Sequence, residues 1–203
     1  MFEYALLTFG SLFAVVDPFA ALPTFVAITA GDSAAQRIRM ARTACLTATA
    51  IVLGFALAGP YLFRIFSITL EAFQVAGGLI LLLAALDMLR ARRSPLTETP
   101  EEVAEGMRKQ DIAITPLAVP LLGGPGAITT AMVLAGRAQS PVDYAVFVGA
   151  VVAVGLACFA VLAIGASGAH RLSPTVLNVV TRLMGLLLAA IGVQFILSAL
   201  RLA

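Results

Sequence analysis

Tryptophan is absent from this chain, histidine occurs once and cysteine twice among 203 residues. Each scarcity removes a class of chemistry. His170 has no second histidine with which to hold zinc, and Cys45 and Cys158 lie far apart in apolar surroundings. No metal centre is expected, and both cysteines read as packing residues. No Ser–His or zincin arrangement occurs either, so the chain is not expected to be an enzyme. GGPGAIT (residues 123–129) is rich in glycine, but no Gly-Lys-Ser/Thr follows it. It is not a phosphate-binding P-loop, and no ATP hydrolysis or cofactor is implied.

Charge is the other scarcity. Only 12% of residues are charged, against about 25% in a soluble domain. What fills the chain instead is apolar: 61% hydrophobic residues and a mean hydropathy of +1.02. Such a chain cannot cover itself with polar surface, so its expected partner is the lipid bilayer, not nucleic acid. The apolar runs are continuous, as in Gly77–Leu86 and Ala145–Ala166, whereas barrel strands alternate. An all-α integral membrane protein follows. The start, MFEYALLTFG, carries no Lys or Arg before its apolar run. A retained first span is expected there, not a cleaved signal.

Hydropathy and polar punctuation predict six spans near 4–30, 39–60, 69–89, 112–136, 142–166 and 176–200. Loops after the first, third and fifth hold ten of the 13 basic residues, including Arg37, Arg90, Lys109 and Arg171. The positive-inside rule puts those loops in the cytoplasm and both termini outside. In the cytoplasmic loop 90–111, Thr99-Pro100-Glu101-Glu102 reads as a helix start, predicting a short helix over 100–109.

The first and fourth spans contain breaks. DPFAALP (17–23) and VPLLGGP (119–125) share Pro-x4-Pro, at Pro18/Pro23 and Pro120/Pro125. Farther on, GLILLLAALDML (78–89) resembles GLLLAAIGVQFI (185–196). Two matches in the same order predict a duplication, with repeat one at about 4–89 and repeat two at about 112–200. Three spans per repeat make the second inverted in the membrane, the arrangement that places a substrate site at paired breaks.

Prolines remove backbone donors and push the preceding residue out of helix. Both Pro-x4-Pro segments are therefore expected to be unwound. The half-helices that follow would present free amides near Thr24–Val26 and Gly126–Ile128. Free carbonyls would lie near Val15–Asp17 and Leu117–Val119. Amides suit a carboxylate and carbonyls suit an ammonium or small cation, which together match a small zwitterion. Asp17, an acid at membrane depth, is the sharpest candidate, for substrate amine, proton or sodium; the alternative is that it caps the half-helix or bonds broken backbone nearby. Thr129 and Thr130 are placed either to line the site or to bond the carbonyls four residues before them. Ala20, Ala21, Gly123 and Gly124 leave room only for something small, and Pro18, Pro23, Thr24, Pro120, Pro125 and Gly126 complete the expected lining.

DPF…P in the first span, AGGLILLLAALDML, PLAVPLLGGPGAIT and RLMGLLLAAIGVQFI resemble the MarC family of bacterial inner-membrane proteins over nearly the whole chain. The resemblance implies six spans and transport of small neutral amino acids such as glycine and alanine. Many members read DP-x-Gly-Asn-x-Pro in the first span. Here Ala20 and Ala21 stand in place of Gly-Asn, removing a side chain able to hold substrate or ion. Two other readings compete. One is a non-transporting membrane protein that binds a partner or lipid; the other is a drug-efflux protein, which the small break residues and 7% aromatic content fit poorly.

Overall fold

The helices begin where the sequence supplies caps. Ser33 opens the second span: its N–H donates to Gln36 Oε1 (2.9 Å), and Gln36 N–H donates to Ser33 Oγ (3.4 Å). Ser140 opens the fifth in the same way, its N–H donating to Asp143 Oδ2 and Asp143 N–H to Ser140 Oγ, both at 3.1 Å. Each is a reciprocal capping box that satisfies two orphan amides. Thr69 Oγ1 caps the third span by accepting from Ala72 N–H at 3.2 Å.

The structure is a computed structural model that describes residues 2–29, 31–90, 117–118, 122–168 and 174–202. The helix expected over 100–109, Pro120 and most of the loop 90–111 lie outside those residues. Seven α-helices are described: α1 (Phe2–Val16), α2 (Pro18–Ile28), α3 (Ala34–Phe66), α4 (Leu70–Leu89), α5 (Pro125–Gly136), α6 (Pro141–Gly168) and α7 (Pro174–Leu202). There is no strand among the described residues. Five segments are long and apolar enough to cross a bilayer, with α1 and α2 together forming the first; α5 is a shorter apolar helix. Large apolar side chains point outward on the helix flanks, with Leu156 64% and Ile164 71% exposed. In water that would be a liability; in lipid it is the solvent-facing surface.

Small residues set how closely the helices pack. A Cβ on Gly155 of α6 would collide with Thr49 of α3, and one on Gly165 with Leu22 of α2. The most extensive contact is α4 with α7; α3 packs on α6 and α5, and α1 lies against α5 and α6. The core between them is built largely of alanine, including Ala21, Ala44, Ala48, Ala118, Ala127 and Ala131, with Phe25 and Phe147 fully buried.

The break in the first span is narrower than its two prolines predict. Only Asp17 leaves helical geometry, at φ 42° in the left-handed region. Pro18 starts α2 at its first position, where a missing N–H costs nothing. Pro23 lies inside α2 and is exposed. Thr24–Val26 are therefore mid-helix, and the free first turn of the half-helix falls at Pro18–Ala20. The reason is that interior proline removes one bond and kinks a helix, whereas a left-handed residue redirects the chain outright. Asp tolerates that conformation better than most residues.

Candidate site at the paired helix breaks

Asp17 ends one helix and begins the next. Its N–H donates to the Phe13 carbonyl (3.0 Å), closing α1, and its own carbonyl accepts from Ala21 N–H (3.3 Å), opening α2. Its side chain then caps α2, Oδ1 accepting from Ala20 N–H at 3.1 Å. The second carboxylate oxygen, Oδ2, is buried and has no hydrogen-bond partner in the protein. The residue as a whole is 5% exposed. A charge-bearing oxygen left unpaired at this depth is costly, and proteins keep such groups mainly where they act.

The second break has the same position in its helix but a different residue. Gly124 is the N-cap of α5 and Pro125 its first residue; no side chain caps this helix. Ahead of it Leu117, Ala118 and Leu122 form a wide turn, closed by Gly123 N–H donating to the Ala118 carbonyl at 2.9 Å. Gly123 cannot easily be larger, because a Cβ there would lie 3.1 Å from that carbonyl and 3.4 Å from Ala48 Cα. So Pro18 and Pro125 match as first helical residues, and Pro18/Pro23 does not align on Pro120/Pro125. The shift is 107 residues, from 17 to 124 and equally from Ser33 to Ser140.

At 15 and 12 residues, α1 and α5 extend about 22 and 18 Å. Both fall short of a hydrocarbon core about 30 Å thick, so each has one end within the membrane. Those ends adjoin: a Cβ on Gly126 would lie 3.4 Å from Val15 Cγ1. Beside them is a cavity of about 20 Å³ whose lining includes Val16, Cys45, Ala48, Thr49, Leu122 and Cys158. That is space for about one water molecule. A wider crevice, about 400 Å³, opens between α3, α4 and α5, and its lining is apolar apart from Thr129.

Of the residues expected to line the site, Asp17, Pro18, Gly123 and Gly124 are buried at the two breaks. Ala20 and Ala21 occupy the first turns of α2, with Ala21 buried and Ala20 half-buried. Gly126 is half-buried on the first turn of α5. Pro23 and Pro125 are exposed. Thr24 is buried. Thr129 faces α4, where a Cβ on Gly77 would strike its methyl group, and Thr130 is fully buried with an unpartnered hydroxyl. Two polar residues escaped the sequence reading. Thr8 and Gln74, almost wholly buried, also carry unpartnered oxygens; the available signal was a polar residue inside ALLTFG and AFQVAGG.

Broken helices and lipid-facing flanks define a multi-pass integral membrane protein of the all-α class. Comparison with known proteins narrows this further. The family model described as MarC family integral membrane protein matches residues 2–203; the chain belongs to that family. It is 36% identical over 200 residues to a UPF0056 membrane protein of Methanocaldococcus jannaschii, covering 98% of this chain and 97% of the relative. It is 35% identical to the UPF0056 membrane protein YvbG of Bacillus subtilis, covering 99% and 96%. With YhcE of Escherichia coli the identity is 32%, over 95% and 90%. No solved structure matches the chain significantly.

Proposed function

We propose that the protein is a secondary transporter of small neutral amino acids in the inner membrane, working by alternating access at the paired breaks. One observation carries the reading: the two half-helices start alike but are capped differently. At α2 the anion position is filled by the carboxylate of Asp17. At α5 the same position is Gly124, which has no side chain to offer. A helix start without a capping acceptor attracts an anion through its amides and dipole. A ligand carboxylate fits there, while its ammonium group fits Asp17 Oδ2, the oxygen without a partner. One ligand then satisfies both breaks, and the small break residues limit its side chain. Asp17 is also the group that a coupling proton or sodium ion would use.

Asp17 and Gly124 are both buried, so binding even glycine between them requires the two breaks to part. The test is counterflow of radiolabelled glycine, alanine and serine in proteoliposomes, with and without proton or sodium gradients. Exchange of at least one above empty liposomes is expected. None with any of the three, from correctly folded protein, removes this function.

A further inference from the structure

The crevice between α3, α4 and α5 has a definite length. It is lined by α3 from Phe55 to Phe66 and reaches Pro125, the first residue of α5. That stretch of α3 extends about 16 Å, close to half of a hydrocarbon core about 30 Å thick. The crevice therefore runs through one leaflet, from the membrane face where α3 ends to the depth of the second break. Spread over that length, about 400 Å³ gives a channel about 5 Å across. That is room for a hydrocarbon chain, whose carbons touch their neighbours at about 3.5–4 Å. Its walls are apolar apart from Thr129, and the rings of Phe63 and Phe73 join α3 to α4 with centroids 5.0 Å apart. A zwitterion gains nothing here.

The duplication shows what this space takes when it is filled. The 107-residue register pairs Pro125, Thr129 and Met132 with Pro18, Leu22 and Phe25, and Phe55 with Leu162. In that other half the positions are packed shut. Phe25 and Leu162 are 0% exposed and Leu22 3%, with Leu22 pressed against Gly165. Pro18 is buried, whereas Pro125 is exposed and Phe55 is 43% exposed. Threonine and methionine stand where α2 has leucine and phenylalanine, so α5 leaves open a groove that α2 fills with its own side chains. The missing volume is apolar, and the solvent at that surface is lipid.

Two cations stand where the crevice meets the membrane face. Arg64 lies in the last turn of α3, between the lining residues Phe63 and Phe66. Arg137 ends α5, next to Gly136, where an added Cβ would lie 3.1 Å from Leu70 of α4. Of the acids on the adjoining turns, Asp143 is taken up in capping α6 and Glu71 opens α4. We propose that the crevice binds one acyl chain of a phospholipid, with the lipid phosphate at Arg64 and Arg137. Guanidinium groups match phosphate oxygens in geometry as well as charge. Because Pro125 and Ile128 belong to its wall, the chain reaches the second break from the lipid side. The site does not depend on the transport reading.

The chain has no tryptophan, so a single introduced one is a clean fluorescent reporter. Phe55→Trp, at the inner end of the crevice, is compared with Leu156→Trp on the open flank of α6, a position 64% exposed. Each variant, in a maltoside detergent, is titrated with phosphatidylglycerol brominated near the ends of its acyl chains. Half-quenching of Phe55→Trp is expected at a lipid concentration at least about tenfold below that for Leu156→Trp, because a chain in the crevice buries more methylenes. Equal concentrations overturn the site. Protection of Phe55→Trp in a dimer would give the crevice to a second copy of the chain and also overturn it. Replacing both cations, Arg64→Gln with Arg137→Gln, should raise the half-quenching concentration of Phe55→Trp roughly tenfold. No change would mean a hydrocarbon ligand without a phosphate, against the proposal. Neither readout depends on transport, so quenching without counterflow would refute the transporter and keep the lipid site.

Discussion

Gly78 and Gly192 cross backbone to backbone. A Cβ on Gly78 would lie 2.6 Å from the Gly192 carbonyl oxygen, and one on Gly192 would lie 2.8 Å from that of Gly78. Seven residues along, a Cβ on Gly185 would lie 3.3 Å from the Ala85 carbonyl. A shift of 107 residues carries Gly78 onto Gly185 and Ala85 onto Gly192, which exchanges the two contacts. Helices that meet in this reciprocal way run antiparallel, as an inverted pair requires.

The crossing leaves no room for a side chain because its neighbours are backbone. Gly78→Val should lower stability by about 1–3 kcal/mol or more, read as Tm in detergent. Gly54, where an added Cβ would meet nothing within 4 Å, is the control. Gly54→Ala should be neutral or stabilising by up to about 1 kcal/mol. Equal effects at both sites would contradict close backbone packing.

Asp17→Asn separates charge from architecture. Asn also caps helices well and also tolerates a left-handed φ, so the variant should fold with little change in Tm. Loss of a charged partner worth about 1.5–3 kcal/mol should reduce amino-acid counterflow roughly ten- to hundredfold. Unchanged counterflow would take the carboxylate out of the site.

Ala21 is 1% exposed, one turn into α2 from Asp17. Ala20→Gly with Ala21→Asn restores the pattern common in the family. The added amide should shift selectivity toward serine over alanine by a few fold, because it offers a hydroxyl a partner. A ratio that stays at the wild-type value would show that this pair does not set specificity.

Much of this architecture is legible in the sequence, and what is not has physical reasons. Hydropathy finds the spans because lipid demands apolar flanks everywhere. Asp17-Pro18 marks the first break correctly, since an acid and a first-turn proline are both helix-start signals. Pro23 misleads because an interior proline looks the same in sequence as one that ends a helix. The 107-residue register was also present in the chain, in Ser33-x-x-Gln36 and Ser140-x-x-Asp143. The proline pattern obscured it. What could not be read was that Gly124 is the counterpart of Asp17, because a missing cap leaves no letter to notice. Thr8 and Gln74 become informative only once their partners are known to be absent.

That missing cap supplies the decisive experiment, alanine counterflow by Gly124→Asp. The backbone at Gly124, φ −71° and ψ 177°, is one that aspartate adopts freely at an N-cap. The new carboxylate would cap the α5 amides and occupy the place assigned to the ligand's own, at the cost of placing a charge at a buried position. A ligand carboxylate held by the α5 amides predicts a variant that still folds in detergent and gives counterflow no greater than that of empty liposomes. Counterflow at the wild-type rate would contradict it.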